Sequence, residues 1–549
     1  MPPSSASVHS NSNSNSYSNS YSNSYHPMQS IGSQIGYKVR NIAHYGQPTI
    51  EINLDTTHGT HGGYVTSYST MDTIEGTVTI TAHHDTKFEN LEIAFVGTSQ
   101  VFVDRLTSSP SMSGRTEATH RFLTLKQPID DTDLPCPRVL AAGRTYTFPF
   151  FFTVPNHLLP RACTHRIASD HVRDTHLMLP PSMGDPALAG FGAKLLDDLA
   201  PEMSKIIYGI KVRIVQLREA DGTFSLLGEK TRKVRIKPAF EEQPPLNLDP
   251  SDPEYRPRQE KTIRKGLFKG KLGTLTAQSA QPKSLVIPGA RTTNLGSITT
   301  MAKILLRFDP ADEHNTPPRL GSLATKIKVS TYYASSPRAN FPSRSALGYD
   351  LTQGVYQETI SLSSLCIASA TWQKQDSAAN PTAENSILRR DSGISDCSTG
   401  ETAEAFNNGI LTQSKNYRGG SFYTARIAVP ITLPDNKNFL PTFHTCLISR
   451  TYILSFHVSA HAPGVSDPSL HLKIPIQVCA DGSDTGNENA RARSAEAVVR
   501  LEANDVFTPR SVAPPTIGNA RTQVNDLPPE YAAYAPQVGR YNARVTAVG

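Results

Sequence analysis

Three groups of residues in this sequence have types and spacings that could do chemistry, and each asks for a different partner. The first is Leu527-Pro528-Pro529-Glu530-Tyr531, in a stretch too polar to fold alone. Pro-Pro-x-Tyr is the peptide form that WW domains bind. The two prolines pre-set a polyproline II turn, so docking orders little that was free, and the tyrosine fills a second pocket. Leu527, Pro528, Pro529 and Tyr531 are therefore the expected WW-binding residues. WW domains recur in tandem in HECT-type ubiquitin ligases, so the motif points to an adaptor and away from catalysis. The second group is a basic cluster: Arg256, Arg258, Lys261, Arg264, Lys265, Lys269 and Lys271, with Leu267-Phe268 inside it. Cations this dense are drawn to an anionic membrane leaflet by about 1 kcal/mol for each Lys or Arg near the surface. A solvated hinge is the alternative. Aromatic residues beyond Phe268 and Tyr255 are missing, so a nucleic-acid surface is not expected. The third is Leu388-Arg389-Arg390-Asp391-Ser392, a basophilic kinase pattern. Phosphate on Ser392 would add up to about two negative charges.

Reaction chemistry finds little to stand on. The sequence has no Gly-x-x-x-x-Gly-Lys-Ser/Thr loop and no Gly-x-Ser-x-Gly elbow, and Gly266, Gly270 and Gly273 are spaced wrongly for a dinucleotide fingerprint. His83 and His84 are adjacent, so on a strand their imidazoles point to opposite faces. They are expected at a polar strand end or turn. Cys163-Thr164-His165 places two ligand types on one strand face, with His171 and His176 near in sequence, but a second pair is missing. The six cysteines are widely spaced with no Cys-x-x-Cys, which reads as buried free thiols. No catalytic residue, metal or cofactor is assigned. Asp252-Pro253-Glu254-Tyr255 lacks the first proline of a WW ligand and is at best a weak second site.

The elements that must position these residues are mostly strands. Tyr208, Ile210, Val212 and Ile214 alternate with Lys211 and Arg213; Phe148, Phe150, Phe152 and Val154 share a face; Leu91, Ile93 and Phe95 share another. A period of two with one apolar face marks a half-buried antiparallel strand. Ile327, Val329, Thr331 and Tyr333, then Tyr452, Leu454, Phe456 and Val458, then Leu470 to Val478 repeat the pattern. Pro475 sets the last strand at an edge or bulge. The fold class expected is all-β: two tandem antiparallel sandwiches with disordered tails.

The expected divisions are a Ser/Asn-rich arm at 1–33, a first domain at 34–240, a Pro-rich and basic linker at 241–283, a second domain at 284–481 with a polar insertion at 374–420, and a tail at 482–549. A helix is expected near 193–203, kinked or ended by Pro201, and another at 495–501 with Ser494 as N-cap. The net charge of +6 is modest for 549 residues and does not argue for nucleic acid. No run approaches the roughly 18 to 20 apolar residues of a membrane span. The N-terminus has no basic start and no apolar h-region, so an intracellular protein is expected.

Three stretches carry a resemblance. Glu75-Gly76-Thr77-Val78 through Phe95-Val96-Gly97, Tyr146 to Pro155 followed by Leu158-Leu159-Pro160, and Phe439-Leu440-Pro441-Thr442-Phe443 with Leu447 to Tyr452 resemble strands of arrestin-domain proteins. With the Pro-Pro-x-Tyr tail, the chain is similar to the fungal α-arrestin group, the arrestin-related trafficking adaptors, over roughly residues 36 to 480. The resemblance implies two arrestin-like sandwiches that bind integral membrane transporters or receptors as cargo. It implies a HECT-type ubiquitin ligase held through its WW domains, cargo ubiquitination and endocytosis, and a cytoplasmic protein peripheral at plasma membrane and endosomes. The alternative within the same fold is a sorting or scaffold protein with no ligase link. The insertion after Trp372 departs from the family's pattern, and the charged polar core of visual arrestins has no assigned residues here.

Overall fold

The computed structural model describes residues 47–55, 67–105, 114–186, 188, 196–218, 222–246, 252–265, 270–290, 296–376, 417–461 and 468–507. Strands in several antiparallel sheets dominate them. In the first core a three-stranded sheet runs in the order Thr49–Leu54, Thr73–Thr81, Thr145–Thr153. A five-stranded sheet runs Ser67–Tyr68, Phe224–Ile236, Ser204–Leu217, Asn90–Arg105, Gly114–Lys126. Every pairing in these two sheets is antiparallel except that of Ser67–Tyr68. The two sheets share one apolar layer: Val78, Ile80, Phe148, Phe150 and Phe152 of the first meet Ile93, Phe95, Tyr208, Ile210 and Val212 of the second. Phe95 and Phe152 face each other across it with ring centroids 6.1 Å apart. Each such side chain removed from water stabilises the fold by about 1.5–3 kcal/mol.

Two glycines are required by close approach. A Cβ on Gly97 would strike the Phe122 ring at 2.5 Å and the Tyr208 ring at 2.9 Å. A Cβ on Gly76 would enter the Asn53 carbonyl oxygen of the neighbouring strand. Both positions let backbone pack where any larger residue would push the sheet apart.

The second core repeats the plan. One sheet runs Arg258–Arg264, Lys271–Ser279, Thr299–Pro310, Ser421–Thr432, Gln373–Asp376; the other runs Gln353–Cys366, Arg319–Ala334, Ile448–His461, Phe443–His444, with Ser469–Ile476 also pairing Ile448–His461. Ala277, Ile304, Leu306 and Phe308 of the first sheet pack with Leu323, Ile327, Leu454 and Phe456 of the second. Pro475 lies on Ser469–Ile476 opposite Ile453, in a strand whose one long partner is Ile448–His461, as an edge position requires. The cores also exchange side chains. Tyr333, Leu440, Phe443, Cys446, Leu447 and Ile448 belong to the first core, and Leu199 belongs to the second. Both cores lie in one compact unit that ends at Arg491; the residues from Ala492 form a second unit.

Four expectations need correction. The linker 241–283 is not a linker throughout, because Arg258–Arg264 and Lys271–Ser279 are paired strands of the second core. No proline falls between Pro257 and Pro282, and the polar Arg258–Arg264 is an edge strand that buries Ile263 while its neighbours face water. The insertion 374–420 starts late: Gln373–Asp376 pairs with Ser421–Thr432, and 377–416 lie outside the described residues. The expected helix near 193–203 is not helical over its described part, 196–203. There the Asp197 and Asp198 carboxylates accept the Leu199 and Ala200 backbone N–H groups, Leu199 takes φ +59°, and these local bonds replace a helical turn. Finally, the tail is helical over Asp484–Phe507, so Ser494 lies inside that helix and is not its cap. Ser483 starts it by accepting the Gly486 N–H.

Candidate metal centre

The sequence around Cys163 folds locally for reasons visible in its residues. Pro160 opens a short 3-10 turn, Pro160–Ala162, and Cys163 closes it. Ser169 then caps a helix, Asp170–His176, by accepting the Val172 N–H at 3.4 Å. Asp170 sits in its first turn and Arg173 in its last, which suits the helix dipole. Val172 and His176, four apart, form its buried face. This helix was not anticipated, since seven residues are too few to show a helical period.

Cys446 comes from the other core. It sits at the tip of a tight turn between Phe443–His444 and Ile448–His461, where the Thr445 hydroxyl accepts the Ile448 N–H and donates to the Ile448 carbonyl. Its own carbonyl accepts the Arg338 N–H at 2.9 Å.

The turn delivers Cys446 to the first core. The Cys163 and Cys446 sulfurs stand 3.6 Å apart; the Cys163 sulfur is 3.3 Å from His165 Nε2 and 3.7 Å from His176 Nδ1. All four ligand atoms lie within 4.8 Å of one another. Cys163, His176 and Cys446 are buried and His165 is half-buried. His165 Nδ1 faces the Arg166 carbonyl at 3.0 Å, so its proton sits there and the Nε2 lone pair is turned to the cluster. Burial, with Arg338 and His165 adding, holds His176 down to about 4 and therefore neutral. Burial, then the neighbouring Cys163, pushes the Cys446 thiol up to about 12, and burial raises Cys163 as well. The cluster thus presents two thiols and the neutral His176 imidazole beside the His165 ring, a donor set suited to a borderline-soft divalent cation that displaces the thiol protons.

This corrects the expectation that a second ligand pair is missing. His176 and Cys446 supply it, and His171 instead packs on the Phe341 ring. Cys446 lies 283 residues from Cys163 in an apolar strand end, so no sequence spacing could have joined them. Nor are all the cysteines buried, since Cys136 and Cys366 are exposed.

Next to the cluster, Arg338 is buried and carries an unusual deficit. Its Nη2 donates to Ser449 Oγ at 2.9 Å, while Nε and Nη1 have no acceptor. Its charge is felt at both Cys446 and His176. The ring of His444, in contact with Phe341 at 4.8 Å, is held down to about 3 by burial first and Arg338 second.

Of the basic cluster, Arg256, Lys261, Arg264 and Lys271 are exposed along the edge strand and its neighbour. Arg258 pairs with Glu260 at 2.6 Å and Lys265 with Asp312 at 3.5 Å. Lys261 and Arg256 approach the stacked His457 and His471 rings; burial, His457 and these cations together lower His471. Lys269, Ser392 and Leu527–Tyr531 lie outside the described residues. The weak second WW site is docked: the Glu254 carboxylate is buried and accepts the Tyr332 hydroxyl at 3.1 Å, so this segment is not a free peptide. His83 and His84 are exposed in a bend, as expected of a strand end.

A search against protein-family models finds no match, and no curated protein matches the chain in sequence.

Proposed function

We propose that this chain is an adaptor that brings a HECT-type, WW-domain ubiquitin ligase to integral membrane transporters or receptors and promotes their ubiquitination and endocytosis. The observation that carries the reading is Leu527-Pro528-Pro529-Glu530-Tyr531, set in a polar stretch with no apolar face of its own. The all-β architecture supports it: two sandwich-like cores offer broad, largely polar outer faces to cargo, while the motif supplies the ligase contact. Exposed Arg256, Lys261, Arg264 and Lys271 supply the attraction to anionic lipid that would hold such an adaptor at the cytoplasmic face of plasma membrane and endosomes. Phosphate on Ser392 would add charge capable of pairing with those cations, a route to regulation.

Isothermal titration of the peptide 522–536 with tandem WW domains tests the reading. Binding by the wild-type peptide and its loss in Tyr531→Ala is the expected result. Equal affinity for the two peptides removes the ligase role.

A further inference from the structure

A tetrahedral shell with metal–ligand bonds of about 2.0 Å to imidazole nitrogen and about 2.3 Å to thiolate sulfur has ligand–ligand edges of roughly 3.3 to 3.8 Å. The three edges of the Cys/His cluster that meet at Cys163, 3.3, 3.6 and 3.7 Å, fall in that range, and all six lie within 4.8 Å. We infer that Cys163, His165, His176 and Cys446 hold a Zn²⁺ ion in a closed structural site that staples the second core's turn to the first core.

Four lines of chemistry on the page converge on this ion. Two thiolates and two imidazoles are a donor set that selects zinc over the hard cations. Two thiolates cancel the charge of a divalent ion, so the loaded site is neutral and suits burial. The Arg166 carbonyl orients His165 from behind, as outer-shell acceptors do for metal-bound imidazoles. Arg338, whose backbone N–H donates to the Cys446 carbonyl, leaves two buried guanidinium nitrogens without acceptors, and a metal-bound thiolate is a stronger hydrogen-bond acceptor than a thiol for such donors. On binding, two S–H bonds break, two Zn–S bonds form, two protons leave to solvent, and no electron is transferred. All four protein ligands fill the shell, which marks the site as structural and not hydrolytic.

The test uses the full chain purified without chelator, exchanged into zinc-containing buffer, dialysed, and measured by elemental mass spectrometry. One zinc per chain is expected in the wild type and in Cys479→Ser, and none in Cys446→Ser or His176→Ala. Since those variants remove buried groups and could fail to fold, His165→Ala, at a half-buried position, is measured alongside with far-ultraviolet circular dichroism. It should keep the wild-type spectrum and lose the zinc. Cobalt loaded into the wild type should show the visible bands of a tetrahedral thiolate site. A zinc-free wild type after reconstitution, a Cys163–Cys446 disulfide in the isolated protein, or full zinc in Cys446→Ser would each overturn the assignment.

Discussion

The turn and strand that carry Cys446 and Arg450 enter the first core at two points four residues apart, and the two contacts are built differently. Arg450 is among the largest fully buried side chains, and it finds fixed acceptors in the chain: Nη1 donates to the Asp198 carbonyl and Nη2 to the Leu199 carbonyl, both at 3.1 Å. Those carbonyls are held in place because the Asp198 carboxylate accepts the Gly184 and Ala200 N–H groups. Around Cys446 the balance is reversed. Arg338 and His444 bring three buried nitrogens without partners, and the Cys163 sulfur faces the His165 and His176 imidazole nitrogens as well as the Cys446 sulfur. Arg450 leaves only Nε without an acceptor, whereas the Cys446 contact, on the metal assignment, exchanges two thiol protons for a divalent ion with no change in net charge and gains its metal–ligand bonds only then. A buried polar contact is stabilising only when its members are satisfied, so the first should act as permanent structure and the second as structure conditional on a ligand.

The sharpest way to break the comparison is at Arg450. Arg450→Ala leaves a cavity and two buried carbonyls without donors, and should cost about 3–5 kcal/mol, read as a lower urea midpoint whether or not zinc is present. A loss under about 1 kcal/mol would mean that the two contacts are not different in kind. The next largest effect is metal removal. With free zinc a thousandfold above the dissociation constant, wild type should gain about 4 kcal/mol over chelator-treated protein, and Cys446→Ser should show no zinc-dependent shift in Tm. Asp72 is a third buried polar group, and its carboxylate accepts the Ser69 N–H, the Ser483 hydroxyl and the Thr485 hydroxyl. Asp72→Ala should cost about 1–2 kcal/mol and speed hydrogen exchange in the first turn of Asp484–Phe507 before it affects either core. Uniform exchange across the cores would contradict a local anchoring role. At the small end, Asp104 pairs with Arg115 at 2.7 Å on the surface, and Asp104→Asn should leave Tm unmoved within error.

How far these contacts were legible in the sequence follows from their range. Strand faces such as Tyr208 to Ile214 and Phe148 to Phe152 could be read because burial repeats every second residue within one strand. The edge strand Arg258–Arg264 could not, because an edge strand is polar by design and buries Ile263 alone. The loop at Asp197–Leu199 misread as a helix because its apolar residues fall at helical spacing, while the deciding interaction is aspartate with backbone. Of the metal cluster, Cys163, His165 and His176 were visible as neighbours, but Cys446 arrives through tertiary folding. Arg450 lies two residues before Tyr452, so the alternation already set it on the apolar face of its strand; what the sequence could not show is the pair of carbonyls, of Asp198 and Leu199, that receive its guanidinium there.

The exchange of side chains between the cores has a consequence for how the protein is made. Synthesis runs from the N-terminus, so the first sandwich emerges lacking Leu440, Phe443, Leu447 and Ile448, which complete its apolar layer. The ribosome must add about 200 residues beyond Phe240 before they appear, a delay of roughly 10 to 40 s at ordinary elongation rates. Through that interval the nascent chain carries an unfinished apolar surface that its own later sequence closes.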